Sequence, residues 1–312
     1  MPKYQKVTLL LIFGVLLFAY NDCGKVQFSN SSAAALGATG AGVPTGPVVC
    51  NPFGSGGGGT ASNGLVASQI RYLGSDQIDS NNNPIPSIAS FNNLWSVADG
   101  IFDLTLILDN IDTPNRYFTE GFADGTNPPL TAGVGGATLI QFFGFQLKSN
   151  FVLGNLPAGP YQLAVLSDDG SNLTISGGQS GGSDFVINND GTHSMKMGCF
   201  NGANQSTPPV LNLNSSSKYP MEFDYYQGPR VTIGLMLMYR PMPPGNPVDA
   251  QCGQGGQGDG YFFVDNDGHG NPISPSTPTA AFNSLLTEQY PWTVVPATNY
   301  VLPSSNSVNP CD

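Results

Sequence analysis

Two neighbouring aspartates, Asp168 and Asp169, lie in the segment 164-AVLSDDGSNLTI-175. Carboxylates that share one site repel each other, and a hard divalent cation such as calcium relieves this repulsion while taking oxygen ligands. Successive side chains of an extended strand point to opposite faces, so two neighbours serve one ion only where the backbone turns sharply. The alternative is a plain hairpin turn, because Asp169-Gly170 is a strong hairpin signal by itself.

A second acidic run, 265-DNDGHG-270, has the one-three-five spacing of a calcium loop, with glycine at the sixth position. The fifth position is His269, and the twelfth is Ser276 where a calcium loop has a bidentate glutamate. A turn is therefore favoured over an ion site in this run.

Other residues that could catalyse a reaction or hold a transition metal are sparse. The chain has two histidines, His193 and His269, far apart in sequence, and it contains no CxxC spacing, so zinc is not expected. It also lacks a nucleophile elbow, an HExxH motif and a phosphate loop. We therefore predict that the protein is not an enzyme and that His193 is structural.

The charge distribution argues against nucleic-acid binding. The formal net charge is -11, and Lys and Arg total 10 without forming a cluster. A protein that binds nucleic acid needs basic side chains to neutralise phosphates. No nucleic-acid partner is expected.

The N-terminus is typical of an export signal. Lys3 and Lys6 precede the apolar run 7-VTLLLIFGVLLFAY-20, which is too short for a comfortable membrane span. Cys23 follows in 20-YNDC-23 and resembles the lipidated cysteine of bacterial lipoproteins, which predicts a membrane anchor at the outer membrane or cell surface. The alternatives are cleavage without lipid near 33-AAA-35, giving a periplasmic or secreted protein, and an uncleaved anchor.

The remaining four cysteines are an even number in a chain predicted to enter an oxidising compartment. Two disulfides are expected, and four cysteines allow three connectivities, among which the sequence does not choose. The candidates are Cys50, Cys199, Cys252 and Cys311.

Composition divides the chain into four parts. Residues 1–22 are the signal peptide, and residues 23–63, rich in Gly, Ser and Ala, are too poor in bulky apolar residues to form a core, which predicts a flexible tether. Residues 64–240 have the pattern of strands, and residues 241–312 are a loop-rich appendage laid over the main domain and stapled to it through Cys252 and Cys311. About 70 residues with few periodic segments make a poor independent domain.

Alternating apolar residues predict the strands of the main domain. One face of 161-YQLAVLS-167 carries Tyr161, Leu163 and Val165, and 230-RVTIGLMLMYR-240 alternates in the same way, with Met236 and Met238 expected to pack. Gly- and Pro-rich turns separate these segments. The fold class is therefore all-β, an antiparallel sandwich or barrel.

The order of these segments resembles the PA14 domain, a β-sandwich module of bacterial toxins, glycosidases and fungal adhesins. The resemblance rests on an ordered series that covers about 175 of the 312 residues. It runs through 64-GLVA-67, 142-FFGFQL-147, 157-PAGPYQLAVLSDDGSNLTISG-177, 185-FVINNDGTH-193 and 220-PMEFDYYQGPRVTIGLMLMYR-240.

The resemblance implies a specific chemistry for the two aspartates. In the sugar-binding branch of that family, adjacent aspartates matching Asp168 and Asp169 chelate calcium through a cis peptide bond, and the calcium holds sugar hydroxyls. Those members use a further asparagine or aspartate from a neighbouring loop, for which Asn188, Asn189 and Asp190 are the candidates. Exposed aromatics for sugar stacking would be Tyr117, Tyr225 or Tyr226, although core burial is their default.

Two functions follow as expectations. The first is a lipid-anchored envelope protein that binds a glycan or a cell-surface protein through the loops around Asp168 and Asp169, with calcium as cofactor. The second is an adhesive or structural module that binds protein without calcium. Loss of partner capture on Asp168→Ala would count against the second.

Overall fold

The computed structural model describes residues 48–50, 63–73, 89–98, 100–122, 138–202, 207–229, 232–256, 260–266 and 272–303. All of them belong to one compact unit. The predicted signal peptide, Cys23, most of the predicted tether and Cys311 lie outside these residues. Across the described ranges, every helix is too short or too polar to cross a membrane.

Strands dominate the described residues, and the helices are short. The strands in chain order are β1 (Val48–Cys50), β2 (Leu65–Tyr72), β3 (Gly100–Leu108), β4 (Asp112–Tyr117), β5 (Phe143–Val152), β6 (Gly159–Asp168), β7 (Ser171–Ile175), β8 (Phe185–Asn189), β9 (Lys196–Gly198), β10 (Leu211–Leu213), β11 (Lys218–Gln227), β12 (Thr232–Pro241), β13 (Phe263–Asn266), β14 (Pro272–Pro278), β15 (Thr293–Val294) and β16 (Tyr300–Val301). The helices are α1 (Phe91–Val97) and α2 (Ala280–Thr287), with 3-10 turns at Phe118–Glu120 and Ala297–Asn299.

Two large sheets form the sandwich. The first has the order β1-β3-β2-β5-β11-β7-β8, with β16 also paired to β5. The second has the order β10-β6-β12-β15, with β4 paired to β12 and β9 paired to β6. Pairing is antiparallel apart from β1 with β3. The predicted antiparallel β-sandwich is confirmed.

The core lies between the sheets and follows the two-residue period of the strands. Leu163 and Val165 of β6 and Leu235 of β12 are almost fully buried in one cluster with Phe145 of β5 and Phe223 of β11. Each such side chain contributes about 1.5 to 3 kcal/mol through removal from water. This core holds the ends of β6 and β11 in place.

Both faces of the second sheet are buried, because the C-terminal segment covers its outer face. Ala164, Leu166, Met236 and Met238 point away from the main core and pack with apolar side chains from beyond Arg240. The expectation that Met236 and Met238 pack is confirmed. The covering side chains are Phe262, Phe263, Phe282, Leu285 and Trp292.

The sheets extend beyond the limits that composition suggests. Strand β1, inside the predicted tether, pairs with β3, since Val48 and Val49 favour strand structure. Strands β15 and β16, inside the predicted appendage, pair with β12 and β5. Apolar strands at both ends of the chain therefore complete the two sheets.

Candidate ligand-binding site

Asp168 and Asp169 lie where the chain passes from one sheet to the other. Asp168 ends β6 of the second sheet, and Ser171 begins β7 of the first sheet. The two strands are not paired, so the hairpin predicted from Asp169-Gly170 is wrong. Local turn chemistry does bend the chain here, but the partners of β6 and β7 are set by packing between the sheets.

The two carboxyl groups are buried at this crossing. Asp168 is 4% exposed and Asp169 is 3% exposed, and the peptide bond that joins them is cis. A cis bond at this position is the geometry that the PA14 resemblance implies.

The Asp169 carboxylate joins two loops. Its Oδ1 accepts a hydrogen bond of 2.8 Å from the main-chain N–H of His193, in the loop after β8. Its Oδ2 accepts one of 2.7 Å from the main-chain N–H of Gly228, just after β11, and a longer one of 3.5 Å from Gln227 Nε2. These donors are all uncharged.

The strands β11 and β12 hold Asp168. Thr232 Oγ1 donates a hydrogen bond to Asp168 Oδ2. Tyr225 OH donates to the main-chain oxygen of Asp168 at 2.6 Å and is also 2.8 Å from Gln227 Oε1. Main-chain pairing places Asp168 opposite Gly234.

Burial dominates the electrostatics of the site. It raises the pKa of Asp169 to about 7, although the hydrogen bonds from Gly228 and His193 favour the ionised form and oppose this shift. Burial, followed by the charges of Asp168 and Asp169, raises the pKa of the Tyr225 hydroxyl well above its ordinary value. The Tyr225 hydroxyl therefore keeps its proton at neutral pH and can donate a hydrogen bond to the site.

The predicted neighbour Asn189 lies at the base of the crossing. It is opposite Ser171 in the β7–β8 pair, and its Nδ2 donates to Ser167 Oγ at 3.0 Å and to the Lys196 main-chain oxygen at 3.2 Å. Its Oδ1 is buried and has no hydrogen-bond partner within the described ranges. The ring of His193 contacts its main-chain oxygen through Nε2, at 2.9 Å.

Asp190 makes one local and one long-range contact, and Asn188 makes a local one. Asp190 Oδ1 accepts hydrogen bonds from the main-chain N–H groups of Gly191 at 3.0 Å and Phe91 at 2.8 Å. Asn188 is exposed, and its Oδ1 accepts from the Asp190 N–H at 3.0 Å. A Cβ added to Gly170 would lie 2.7 Å from Asp190 Oδ1, so glycine allows this carboxylate to approach the crossing.

His193, which the sequence predicts to be structural, contacts main-chain oxygens through both ring nitrogens. Its Nδ1 is 3.0 Å from the Ser194 main-chain oxygen, and burial lowers its pKa. Its contact with Asp169 uses the main chain, which carries no residue-specific signal. Sequence reasoning therefore missed this contact, and it also missed Gly228 and Thr232, because both contacts join positions about 60 residues apart.

The aromatic candidates are less accessible than sugar stacking requires. Tyr225 and Tyr226 are fully buried, and Tyr117 is partly buried. Core burial, the default for these residues, is confirmed for Tyr225 and Tyr226.

The oxygen donors at the crossing suit a hard cation such as calcium. The fit rests on two buried carboxylates, of which Asp169 accepts hydrogen bonds from neutral donors, and on Asn189 Oδ1, which lacks a partner among the described residues. The described residues contain no group of three or more His, Cys, Asp or Glu side chains placed to hold a metal. Further ligands would have to be main-chain, amide or substrate oxygens.

The other predicted sites are only partly described. Cys199 and Cys252 form a disulfide, while Cys50 lies on β1 and Cys311 is outside the described residues. Of the run 265-DNDGHG-270, Asp265 and Asn266 end β13, and residues 267–270 are outside the described residues.

No protein-family model matches the chain, and neither does any curated protein. Similar solved structures include the PA14 domain of the antifreeze protein MpAFP, at 14% identity over 62% of this chain and 89% of that one, with a TM-score of 0.39. The PA14 sugar-binding domain of an RTX adhesin is 18% identical over 58% and 91%, with a TM-score of 0.33. The epithelial adhesin 6 A domain of Candida glabrata, in complex with Galβ1-3GlcNAc, is 14% identical over 64% and 87%, with a TM-score of 0.33.

Proposed function

We propose that this chain is an exported, lipid-anchored envelope protein that binds carbohydrate or another cell-surface ligand at the sheet crossing around Asp168 and Asp169. Calcium held by the two carboxylates takes part in the binding. The proposed anchor is Cys23, and the proposed location is the outer membrane or cell surface. The protein acts by adhesion and not by catalysis.

The observation that carries this proposal is the environment of Asp169. Its side chain is 3% exposed, and burial raises its pKa to about 7. A buried carboxylate is costly unless it is protonated or paired with a positive charge. Since its hydrogen-bond donors are neutral, a bound cation would supply the missing charge.

The protein residues orient the carboxylates for such a cation. Gly228 and His193 each hold one oxygen of Asp169, and Thr232 holds one oxygen of Asp168. A carboxylate oxygen has two lone pairs, so an oxygen that accepts one hydrogen bond can still face an ion. When bound, calcium supplies positive charge and open coordination positions for ligand hydroxyl groups.

A glycan array probed with the full chain tests this function. We expect binding in millimolar calcium, loss of binding in EDTA, and loss of binding in the Asp169→Asn variant. The matched control is Asp184→Asn, because Asp184 is exposed and contacts the Gly177 N–H at the opposite end of β7. The control should bind like the unmodified chain.

The outcomes separate the two expected functions. Absence of glycan binding in every condition overturns the lectin proposal. Capture of a cell-surface protein that survives both EDTA and Asp169→Asn would support a calcium-independent adhesive module instead. A mass measurement of the protein from the membrane fraction tests lipidation of Cys23.

A further inference from the structure

A small cavity with polar and apolar walls lies between the sandwich and the C-terminal segment. It has a volume of about 10 Å³. Its polar lining residues are Asn115 of β4, Thr232 of β12, Asp265 of β13 and Ser194, and Met195, Phe262 and Phe263 supply its apolar wall. A space of this size accommodates about one water molecule or one small ion. Exposed Gly260 and Tyr261 also line it, which gives an ion a route from solvent.

Asn115 presents an unpartnered oxygen in this cavity. The residue is 3% exposed, and its Nδ2 donates to Ser276 Oγ at 3.1 Å, whereas its Oδ1 has no hydrogen-bond partner in the part of the chain that the structure describes. Burying an amide oxygen without a partner costs about 1 to 3 kcal/mol. An orphaned oxygen in this cavity therefore indicates a bound species that supplies the missing interaction.

Asp265 contributes a buried carboxylate to the same cavity. It is 3% exposed, and its Oδ1 accepts a hydrogen bond of 2.8 Å from Asn266 Nδ2. Within the described residues it forms no ion pair. The buried cation Arg116, next to Asn115 in sequence, is not part of the cavity lining. The negative charge favours a cation over a neutral water.

Strand β12 is paired both with β6, which carries Asp168, and with β4, which carries Asn115. On β12, Gly234 is opposite Asp168 of β6, and a Cβ added to Gly234 would lie 3.3 Å from Asn115 Oδ1. Thr232, on the same strand, lines the cavity and donates to Asp168 Oδ2. Ser194, which also lines the cavity, follows His193, whose N–H holds Asp169.

We propose that Asn115 Oδ1 and the Asp265 carboxylate bind a single calcium ion in this cavity, at a site distinct from the Asp168–Asp169 crossing. The ion joins β4 and β12 of the sandwich to β13 of the C-terminal segment. It also stabilises the positions of Thr232 and Ser194, which line the cavity. A site with one carboxylate and otherwise neutral oxygens is expected to be weak, with a Kd of about 0.1 to 1 mM.

Equilibrium dialysis of the EDTA-treated full chain against calcium, counting bound ions per chain, tests this site. Asp265→Asn should lower the number of bound ions by one or raise the Kd of the cavity ion at least about tenfold. Asn115→Asp adds a second carboxylate and should lower that Kd about tenfold. Asp184→Asn is the matched control and should leave both quantities unchanged. Because Asn115→Asp predicts a gain, the test does not depend on one variant that could fail to fold.

Repeating the count in an Asp168→Asn background separates the two calcium sites. The cavity ion should persist in Asp168→Asn and disappear in Asp265→Asn, whether or not the crossing binds calcium. The proposal is overturned if Asp168→Asn alone removes all bound calcium, or if Asp265→Asn changes neither the count nor the affinity. Crystals soaked in terbium should show an anomalous peak between Asn115 and Asp265. Density for a water molecule at that position, without an anomalous peak, would also overturn the proposal.

Discussion

The main-chain N–H of His193 donates a hydrogen bond of 2.8 Å to Oδ1 of Asp169. The two residues are 24 positions apart, and the other oxygen of the same carboxylate holds the N–H of Gly228, 59 positions away. One buried side chain thus fixes the loop after β8 against the loop after β11. The charge state of Asp169 should therefore affect both folding and binding.

We expect the calcium-free protein to lose stability as the pH rises from about 4 to about 7. Burial raises the pKa of Asp169 from 3.8 to about 7. In this range the unfolded chain releases the proton while the folded chain keeps it, so the folded state binds more protons and the free energy of unfolding falls with pH. Urea unfolding in EDTA at several pH values measures the slope.

Asp224 should also contribute to the fall of the free energy of unfolding with pH, because burial raises its pKa to about 6. Asp224→Asn should remove part of the slope, and Asp169→Asn should remove a separate part. Millimolar calcium should flatten the Asp169 contribution, because a bound cation favours the ionised form. An unchanged slope in Asp169→Asn would contradict this prediction.

Tyr225→Phe should destabilise the fold and distort the crossing. The substitution removes the hydroxyl that donates to the Asp168 main-chain oxygen at 2.6 Å in a fully buried position. Losing this buried hydrogen bond should lower the free energy of unfolding by about 0.5 to 1.5 kcal/mol. Tyr239→Phe is the control, since Tyr239 is only partly buried, and its change should stay within about 0.5 kcal/mol. Equal losses in the two variants would refute the role of the hydroxyl.

Asp249→Asn should be among the most destabilising changes in the C-terminal segment. Asp249 Oδ2 accepts from Arg240 Nη1 at 2.6 Å and from Trp292 Nε1 at 2.7 Å, and the Arg240 guanidinium lies 4.6 Å from the centre of the Trp292 ring. Removing one member of a buried ion pair costs about 3 to 5 kcal/mol, because the partner charge loses its closest counter-charge. Denaturant unfolding measures this cost.

Glu288→Gln is the matched control for Asp249→Asn. Glu288 reaches the same Arg240 Nη1 at 3.5 Å, but its side chain is 34% exposed. Its loss should cost less than about 1 kcal/mol. A similar effect of both variants would show that burial is not what makes the pair important.

Loss of the Cys199–Cys252 disulfide should loosen the C-terminal segment from the outer face of the second sheet. The bridge spans 53 positions and ties the end of β9 to the turn after Asp249. Replacing both cysteines by alanine should lower the free energy of unfolding by about 2 to 4 kcal/mol. Dithiothreitol should lower the free energy of unfolding of the unmodified chain more than that of this variant. An equal decrease in both would argue against the bridge.

Period-two patterns predicted most of the sandwich correctly, because alternation along a strand directly reports which side is buried. They were less successful on the second sheet, where Leu166 and Met236 are as buried as Leu163 and Leu235. Those outward residues are buried by the C-terminal segment. A local pattern contains no information about a covering element that lies far away in sequence.

In the candidate site, too, some features depend on local sequence and others on contacts between distant segments. The sequence by itself determined the all-β class and the acidic pair Asp168-Asp169, and it left Asn188, Asn189 and Asp190 as equal candidates for a neighbouring ligand, because residue type and short spacing do not choose among them. Only the tertiary structure decided that the pair crosses between sheets instead of forming a hairpin. It also decided that Gly228, Thr232 and His193 hold the pair. Strand pairing and burial are properties of contacts between distant segments, and they set the charge environment that a sequence motif leaves open.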